Sequence, residues 1–391
     1  MARVPSRDLF PTDDPLIPGD LIGRAADVDD LVRNLSNGLH RIVTGARRTG
    51  KTSVCGDALA RLRAGGAYTV EVDLWGVSTL AGFAHLVTRG AVANRPRVRR
   101  VLDTMKSTGT TALRGASLTM STKLQAEFGE EVEIAFRPFT TARDPLDSVI
   151  KAFELLQRIA VTDNRRLVLY IDEFQEIADK NRRFGDPTAL EKRMRTALQG
   201  ADRVACLFAG SQAHLMKDLF STDNRALFKF GGFQTLEPID VHEWREGLIE
   251  RFARDSCSVD EPALDWIIER GEGHPRTTML IAQQTHALST SSETHAIDTS
   301  LAFGGFANAL GAERIRHQDD VEQVRQMGRS HLTVLQRVAN GTPMYRGLPA
   351  KSAARAVSQL SQAGFIQQDR PRSRWEIVDP LFRRFLVRMG D

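Results

Sequence analysis

The stretch RIVTGARRTGKTSVCGDAL, Arg41 to Leu59, passes from apolar to glycine-rich to helical within a few residues. Arg41-Ile42-Val43-Thr44 is short, partly β-branched and apolar, the pattern of a buried strand. Gly45-Ala46-Arg47-Arg48-Thr49-Gly50-Lys51-Thr52 fits G-x-x-x-x-G-K-[ST] at every defined position. Val54, Ala58, Leu59 and Leu62 then recur at the spacing of one helix face, with Ser53 and Asp57 between them. Strand, loop and helix together would turn successive backbone N–H groups into one concavity, with the positive end of the helix dipole behind it. In such a cradle Lys51 reaches the β and γ phosphates of a triphosphate, and the Thr52 hydroxyl ligates Mg²⁺. The alternative is a chance match in an ordinary strand-to-helix turn. A second, acidic site elsewhere in the chain would favour the cradle.

Leu167-Val168-Leu169-Tyr170-Ile171 is a near-continuous apolar run, as in a parallel strand buried on both faces, and Asp172-Glu173 follow at once. Ligands sit beyond the carboxyl ends of such strands. There Asp172 would hold the magnesium shell while Glu173 orients and deprotonates the attacking water. Acidic residues also cap helix N-termini, which is the competing reading. A third strand, Arg203 to Gly210, ends at Ser211-Gln212. Ser211 either senses the γ phosphate and positions the water or simply terminates the strand. Tyr68 to Leu74 reads as a further strand between the glycine loop and the acidic one.

The rest of the composition sets bounds. With 391 residues, 41% hydrophobic and 26% charged, the chain has room for two or three globular domains. No window has the apolar length of a membrane span, and MARVPSRDLFPTDD lacks the apolar core of a secretory signal, so a cytoplasmic protein is expected. Cys55, Cys206 and Cys257 are isolated, with no CxxC pair and no His nearby in sequence, which argues against a structural zinc or a disulfide framework. A net charge of +4 permits nucleic-acid binding without demanding it. Local basic clusters lie at Arg95, Arg97, Arg99 and Arg100, and at Arg370, Arg372, Arg374, Arg383, Arg384 and Arg388; a solvated basic face accounts for either.

These blocks resemble the STAND and archaeal-type ATPases, a branch of P-loop NTPases close to the origin-recognition AAA+ proteins. LIGRAADVDDL, from Leu21, resembles their entry segment; GARRTGKTS and LVLYIDEFQEI resemble their two Walker motifs. CLFAGSQAHLM resembles the sensor strand, and Gly273-His274-Pro275-Arg276 the Gly-x-Pro element of the helical lid. The resemblance implies an additional-strand P-loop fold, an α/β parallel sheet followed by a helical lid and a C-terminal winged helix. It implies that Leu21 and Ile22 pack near the adenine, that Pro275 touches the nucleotide, and that Arg276 is a second sensor. His274-Pro275 also suits a plain helix start. Relatives often carry Gly-Arg before the last sheet strand, where this chain reads Phe230-Gly231-Gly232-Phe233; Arg225 or Lys229 could substitute, but neither aligns. Slow or partner-dependent turnover is therefore expected.

The expected organisation is a tail over 1–18, a nucleotide-binding domain over 19–238 with an insertion at about 101–143, a helical lid over 239–312, a linker over 313–328 and a winged helix over 329–391. In the insertion, EVEIAFRPF alternates like a half-buried strand, and Lys106, Arg114 and Lys123 are either substrate contacts or loop decoration. In the lid, Trp244, Leu248, Ile249 and Phe252, and Leu264, Ile267 and Ile268, recur at helical spacing. In the tail, Leu332, Val334, Leu335 and Val338, then Ala353, Val357 and Leu360, mark two helices, and a hairpin turns at Asp369–Ser373. On duplex DNA, Lys351, Ser352 and Arg355 would face the groove while Arg370, Arg372 and Arg374 grip phosphate; the same domain also suits a protein contact. The leading expectation is an ATP-hydrolysing switch using ATP and Mg²⁺, its nucleotide state setting how lid and winged helix dock. A DNA-binding ATPase and a nucleotide-binding scaffold with little turnover are the alternatives, with a nucleotide-dependent homo-oligomer implied by the resemblance and no membrane partner.

Overall fold

The computed structural model describes residues 4–95, 145–178, 184–368 and 374–390. Arg97, Arg99, Arg100, Lys106, Arg114, Lys123, the expected strand at 131–136, Arg370 and Arg372 lie outside the described residues. The chain forms two compact units, one of Asp27–Thr44 and Cys55–Thr235, the other of Met1–Ala26, Gly45–Val54 and Leu236–Asp391.

Among the described residues, the first unit is built on five parallel strands: β1 (Arg41–Thr44), β2 (Tyr68–Asp73), β3 (Leu167–Asp172), β4 (Val204–Gly210) and β5 (Gly232–Thr235). Their order is β2-β3-β4-β1-β5. β4 thus separates the strand that leads into the glycine loop from the strand that ends in the carboxylates, which is the additional-strand arrangement. Register pairs Thr44 with Gly210 and Asp73 with Asp172, so the ends of all four strands share one carboxyl edge. β3 and β4 are buried along nearly their whole length, as their unbroken apolar sequences require. Helices over Leu80–Ala93, Pro145–Thr162 and Pro187–Gln199 pack apolar faces around Val70, Leu169 and Phe208. Beyond β4, Arg195 donates to the carbonyls of Ala226 (2.7 Å) and Phe228 (2.8 Å), fixing the connection to β5. Arg225 is held there by the fully buried Glu191 (3.1 Å) and by Asp218 (3.5 Å), and the Lys229 ammonium sits 4.8 Å over the Phe228 ring. Both cations have local structural partners, which explains their presence without a phosphate.

The second unit contains helices over Val241–Ala253, Glu261–Gly271, Pro275–Ser291 and Thr299–Ala312. Trp244, Leu248 and Phe252 are buried, whereas Ile249, expected with them, faces solvent on the same face as Arg245 one turn earlier. The opening segment is no free tail. Leu9 and Phe10 are buried, Phe10 packs 4.8 Å from Phe252, and Ser6 and Val4 hydrogen-bond His286 and Asp255. Cys257, isolated in sequence, lies with Asp255 and His286 in one buried cluster, a neighbourhood that sequence spacing does not reveal.

The stretch expected as a linker is instead a helix, Arg314–Met327, with His317, Val321 and Val324 buried. Spacing of four and three residues puts these on one face, and Val321 and Val324 join the core of the C-terminal domain with Leu335, Leu360 and Phe382. Helices over Arg329–Ala339 and Ala350–Gln362 follow, then an antiparallel pair, Ile366–Gln368 with Trp375–Ile377, and a last helix, Pro380–Gly390. No helix among the described residues is long and apolar enough to cross a membrane.

Candidate nucleotide site

The glycine loop belongs to the second unit. Arg48 (φ 64°) and Gly50 (φ 86°) take left-handed backbone, which turns consecutive amides toward one side. Among the described residues nothing lies within 4 Å of a Cβ built at Gly50, so conformation rather than space selects glycine there. Lys51 is buried, and its ammonium donates to the carbonyls of Gly45 (3.0 Å) and Ala46 (2.6 Å). Thr49 donates its hydroxyl proton to the same Ala46 carbonyl at 2.9 Å. The loop is further anchored by Arg24, whose guanidinium donates to Glu237 O (2.7 Å) and Thr49 O (3.4 Å). Ser53 Oγ accepts from the Leu16 amide at 3.0 Å, while Thr52 is exposed.

Beside the loop, Leu21, Ile22, Trp244, Pro275 and Met279 wall a mostly apolar pocket that opens on Thr49, Gly50 and Ser53. Apolar walls of this kind can face a flat heteroaromatic base, but the cavity is only about 40 Å³ as it stands, less than a purine fills. Pro275 also occupies the first position of its helix, with His274 as N-cap accepting from the Thr277 amide. Burial, first among its influences, holds the His274 imidazolium pKa low.

An ion-pair network connects this loop to the C-terminal domain. Arg48 lies 3.5 Å from Asp379, and Arg47 runs along Gly364, where a Cβ would come within 3.4 Å of its Cδ. Asp379 accepts from Arg316 at 2.8 Å and from the amides of Leu381 (2.9 Å) and Phe382 (3.2 Å). Burial opposes ionisation of Asp379, but neighbouring His317, His274 and Arg316 outweigh it and hold the carboxyl well below its ordinary range. Arg276 donates to Glu313 at 2.9 Å and lies 3.6 Å from Asp13, and Arg316 also pairs with Glu313. Burial works against Glu313 too, and these two guanidiniums overcome it. Arg48, Arg276 and Arg316 therefore share two carboxylates. Asp379 stands just before the helix Pro380–Gly390 and Arg316 lies inside the polar helix Arg314–Met327, and nothing in the sequence links the two.

In the first unit, Asp172 and Glu173 end β3. Asp172 Oδ1 accepts from the Glu173 amide at 2.9 Å, just ahead of the turn Phe174–Ala178. Tyr170, two residues back, has its hydroxyl pKa raised well above the usual value by burial and by Cys55 and Asp172. Glu173 takes left-handed backbone (φ 50°). Its Oε2 accepts from the Ser211 hydroxyl at 2.9 Å and from the Gln175 side-chain amide. Gln175 was not singled out in the sequence; a buried amide two residues past an acid carries no pattern.

On the helix Ala350–Gln362, Lys351 and Arg355 are exposed and Ser352 half-buried; Arg374 is exposed beside Gly341. Part of the C-terminal basic cluster is internally matched, since Arg383 and Arg384 both pair with Glu272.

No family model matches this chain, and no curated protein does. Solved structures do. The Walker-type ATPase PABY2304 of Pyrococcus abyssi superposes with a TM-score of 0.70 at 15% identity, covering 97% of this chain and 99% of the other. The Aeropyrum pernix ORC2 protein, solved as ADPNP–ADP complexes, gives 0.59 at 14% identity, covering 98% of each chain. At such identities the likeness is one of fold, and that fold is the P-loop NTPase fold.

Proposed function

We propose that this chain is an ATP-binding and ATP-hydrolysing switch of the STAND or archaeal-type kind, in which the bound nucleotide governs docking of the lid and a C-terminal winged helix. The observation that carries this reading is the Arg48–Asp379 pair: a residue of the phosphate loop itself is held by the C-terminal domain. A phosphate seated on the loop and the carboxylate of Asp379 bear the same sign, so both bid for the same guanidinium. A ligand shifts such an equilibrium only through its differential affinity for the two arrangements.

The residues fit the substrate and its metal by donor chemistry. The left-handed loop backbone supplies amides and Lys51 an ammonium for phosphate, and Leu21, Ile22 and Pro275 line a slot for the base. The Thr52 hydroxyl and the Asp172 carboxylate are hard oxygen donors of the kind Mg²⁺ takes, and the ion, when bound, neutralises charge on the phosphates. Glu173 accepts the proton of the attacking water, and Ser211 orients Glu173. Arg276, the second-sensor candidate, is paired with Glu313, so a phosphate would compete with that carboxylate for its guanidinium.

Two measurements test the reading. Glu173→Gln is expected to bind ATP normally and to release phosphate at least about a hundredfold more slowly than wild type. Hydrogen exchange in 314–390 is expected to differ between ATP-loaded Glu173→Gln and the ADP form. Equal hydrolysis by both proteins removes the base assignment, and identical exchange removes the switch. A second reading, a DNA-binding ATPase of loader or transposition-helper type, is favoured by the exposed Lys351 and Arg355 on one helix. It predicts duplex affinity that falls steeply with salt. Low turnover follows in either case if nothing replaces the arginine missing at Gly232.

A further inference from the structure

We propose that Gln175 is a positioning residue for hydrolysis, holding the Glu173 carboxylate by one oxygen so that the other is left to take the proton from water. The proposal rests on the hydrolytic reading above and names a residue that reading does not use. Gln175 is 2% exposed. Its amide nitrogen donates to Glu173 Oε2 and lies 3.5 Å from Ser211 Oγ, and Ser211 donates to that same Oε2 at 2.9 Å. A carboxylate only accepts, so chemistry fixes which end of the amide faces it. Among the described residues no hydrogen bond reaches Glu173 Oε1.

The surroundings are shaped for this amide. Its Oε1 is buried and has no hydrogen-bond partner among the described residues, a costly placement that the contact with Glu173 must offset. That oxygen fits only because position 210 is glycine: a Cβ there would sit 2.5 Å from it. Glu173 reaches the pair of donors from a left-handed backbone, which non-glycine residues adopt only when held.

With Oε2 fixed by two donors, the carboxylate has neither rotational freedom about χ3 nor a choice of basic oxygen. In the step this serves, a lone pair of the water oxygen forms the new bond to the γ phosphorus. The bond from that phosphorus to the β–γ bridging oxygen breaks, its electron pair leaves with ADP, and the water proton passes to Glu173 Oε1. Gln175 touches none of the reacting atoms. Its effect should fall on turnover and pass wholly through Glu173.

The test uses the full chain and three proteins besides wild type: Gln175→Met, which keeps length and volume but donates nothing, Glu173→Gln, and the double variant. Phosphate release, ATP affinity and thermal melting are measured for each. Gln175→Met is expected to keep wild-type melting and ATP affinity while kcat falls about tenfold or more, the consequence of losing a donor to a charged group. In the Glu173→Gln background the same change is expected to have no further effect, since residues acting as a unit are non-additive. Wild-type kcat in Gln175→Met overturns the proposal, and so does a loss that persists undiminished without Glu173 or that is matched by weaker ATP binding. If wild type binds ATP but releases no phosphate, the hydrolytic reading fails first and takes the positioning role with it.

Discussion

Replacing Asp379 by Asn removes one charge from the contact between the C-terminal domain and the glycine loop while keeping the shape of the side chain. The helix cap survives, because an amide oxygen can accept from the Leu381 and Phe382 amides as Oδ1 does. What is lost lies at Oδ2, which faces Arg316 at 2.8 Å and Arg48 at 3.5 Å. A hydrogen bond between charged groups contributes about 1.5–3 kcal/mol. The Arg48 contact adds under about 1 kcal/mol, because its guanidinium is 39% exposed and screened by solvent. Local opening of Pro380–Gly390 should therefore become easier by roughly 2–4 kcal/mol, a loss of protection of about thirtyfold or more in amide hydrogen exchange. The pH dependence has a definite sign. The folded carboxyl titrates below its ordinary range, so its contribution is complete above the unfolded value near ~3.9 and is lost as pH falls from there toward the lowered folded value. The gap between wild type and variant should narrow below about pH 4. Equal protection at pH 7, or a gap that persists unchanged in acid, would refute the reasoning.

Other expectations follow from the same geometry. Leu21→Asp puts a carboxylate in the apolar slot and should weaken ATP and ADP alike by about tenfold or more in a fluorescent-nucleotide titration, since both carry the base. Arg225→Met strips the buried Glu191 of its ion pair and should cost about 3–5 kcal/mol in urea unfolding. Burial already raises the pKa of Glu191, so this loss should ease as pH falls and the carboxyl takes up a proton.

Side-chain spacing made much of this molecule readable. The unbroken apolar runs at Leu167–Ile171 and Val204–Gly210 announced central parallel strands, and both are buried in the middle of the sheet. The residues from Gly45 to Thr52 and Asp172-Glu173 carried the expectation of a phosphate site through local order alone. Long-range pairing was silent. Nothing in RRTGK predicts that Arg48 will meet Asp379, because an ion pair between distant segments leaves no periodic trace. The helix Arg314–Met327 hid behind its charges: only His317, Val321 and Val324 are buried, too narrow a stripe to stand out among the ten polar letters of RIRHQDDVEQVRQ. The opening residues were misread for the opposite reason. Leu9 and Phe10 are two apolar letters among charges, and their burial depends on a surface formed by Phe252 and His286.

The most direct test of the account is equilibrium binding of ATP to wild type and to Lys51→Ala, with Mg²⁺ present. A loop that holds phosphate through its amides and one ammonium predicts a single saturable site in wild type and none at the same concentrations in the variant. Undiminished ATP binding by Lys51→Ala would contradict it.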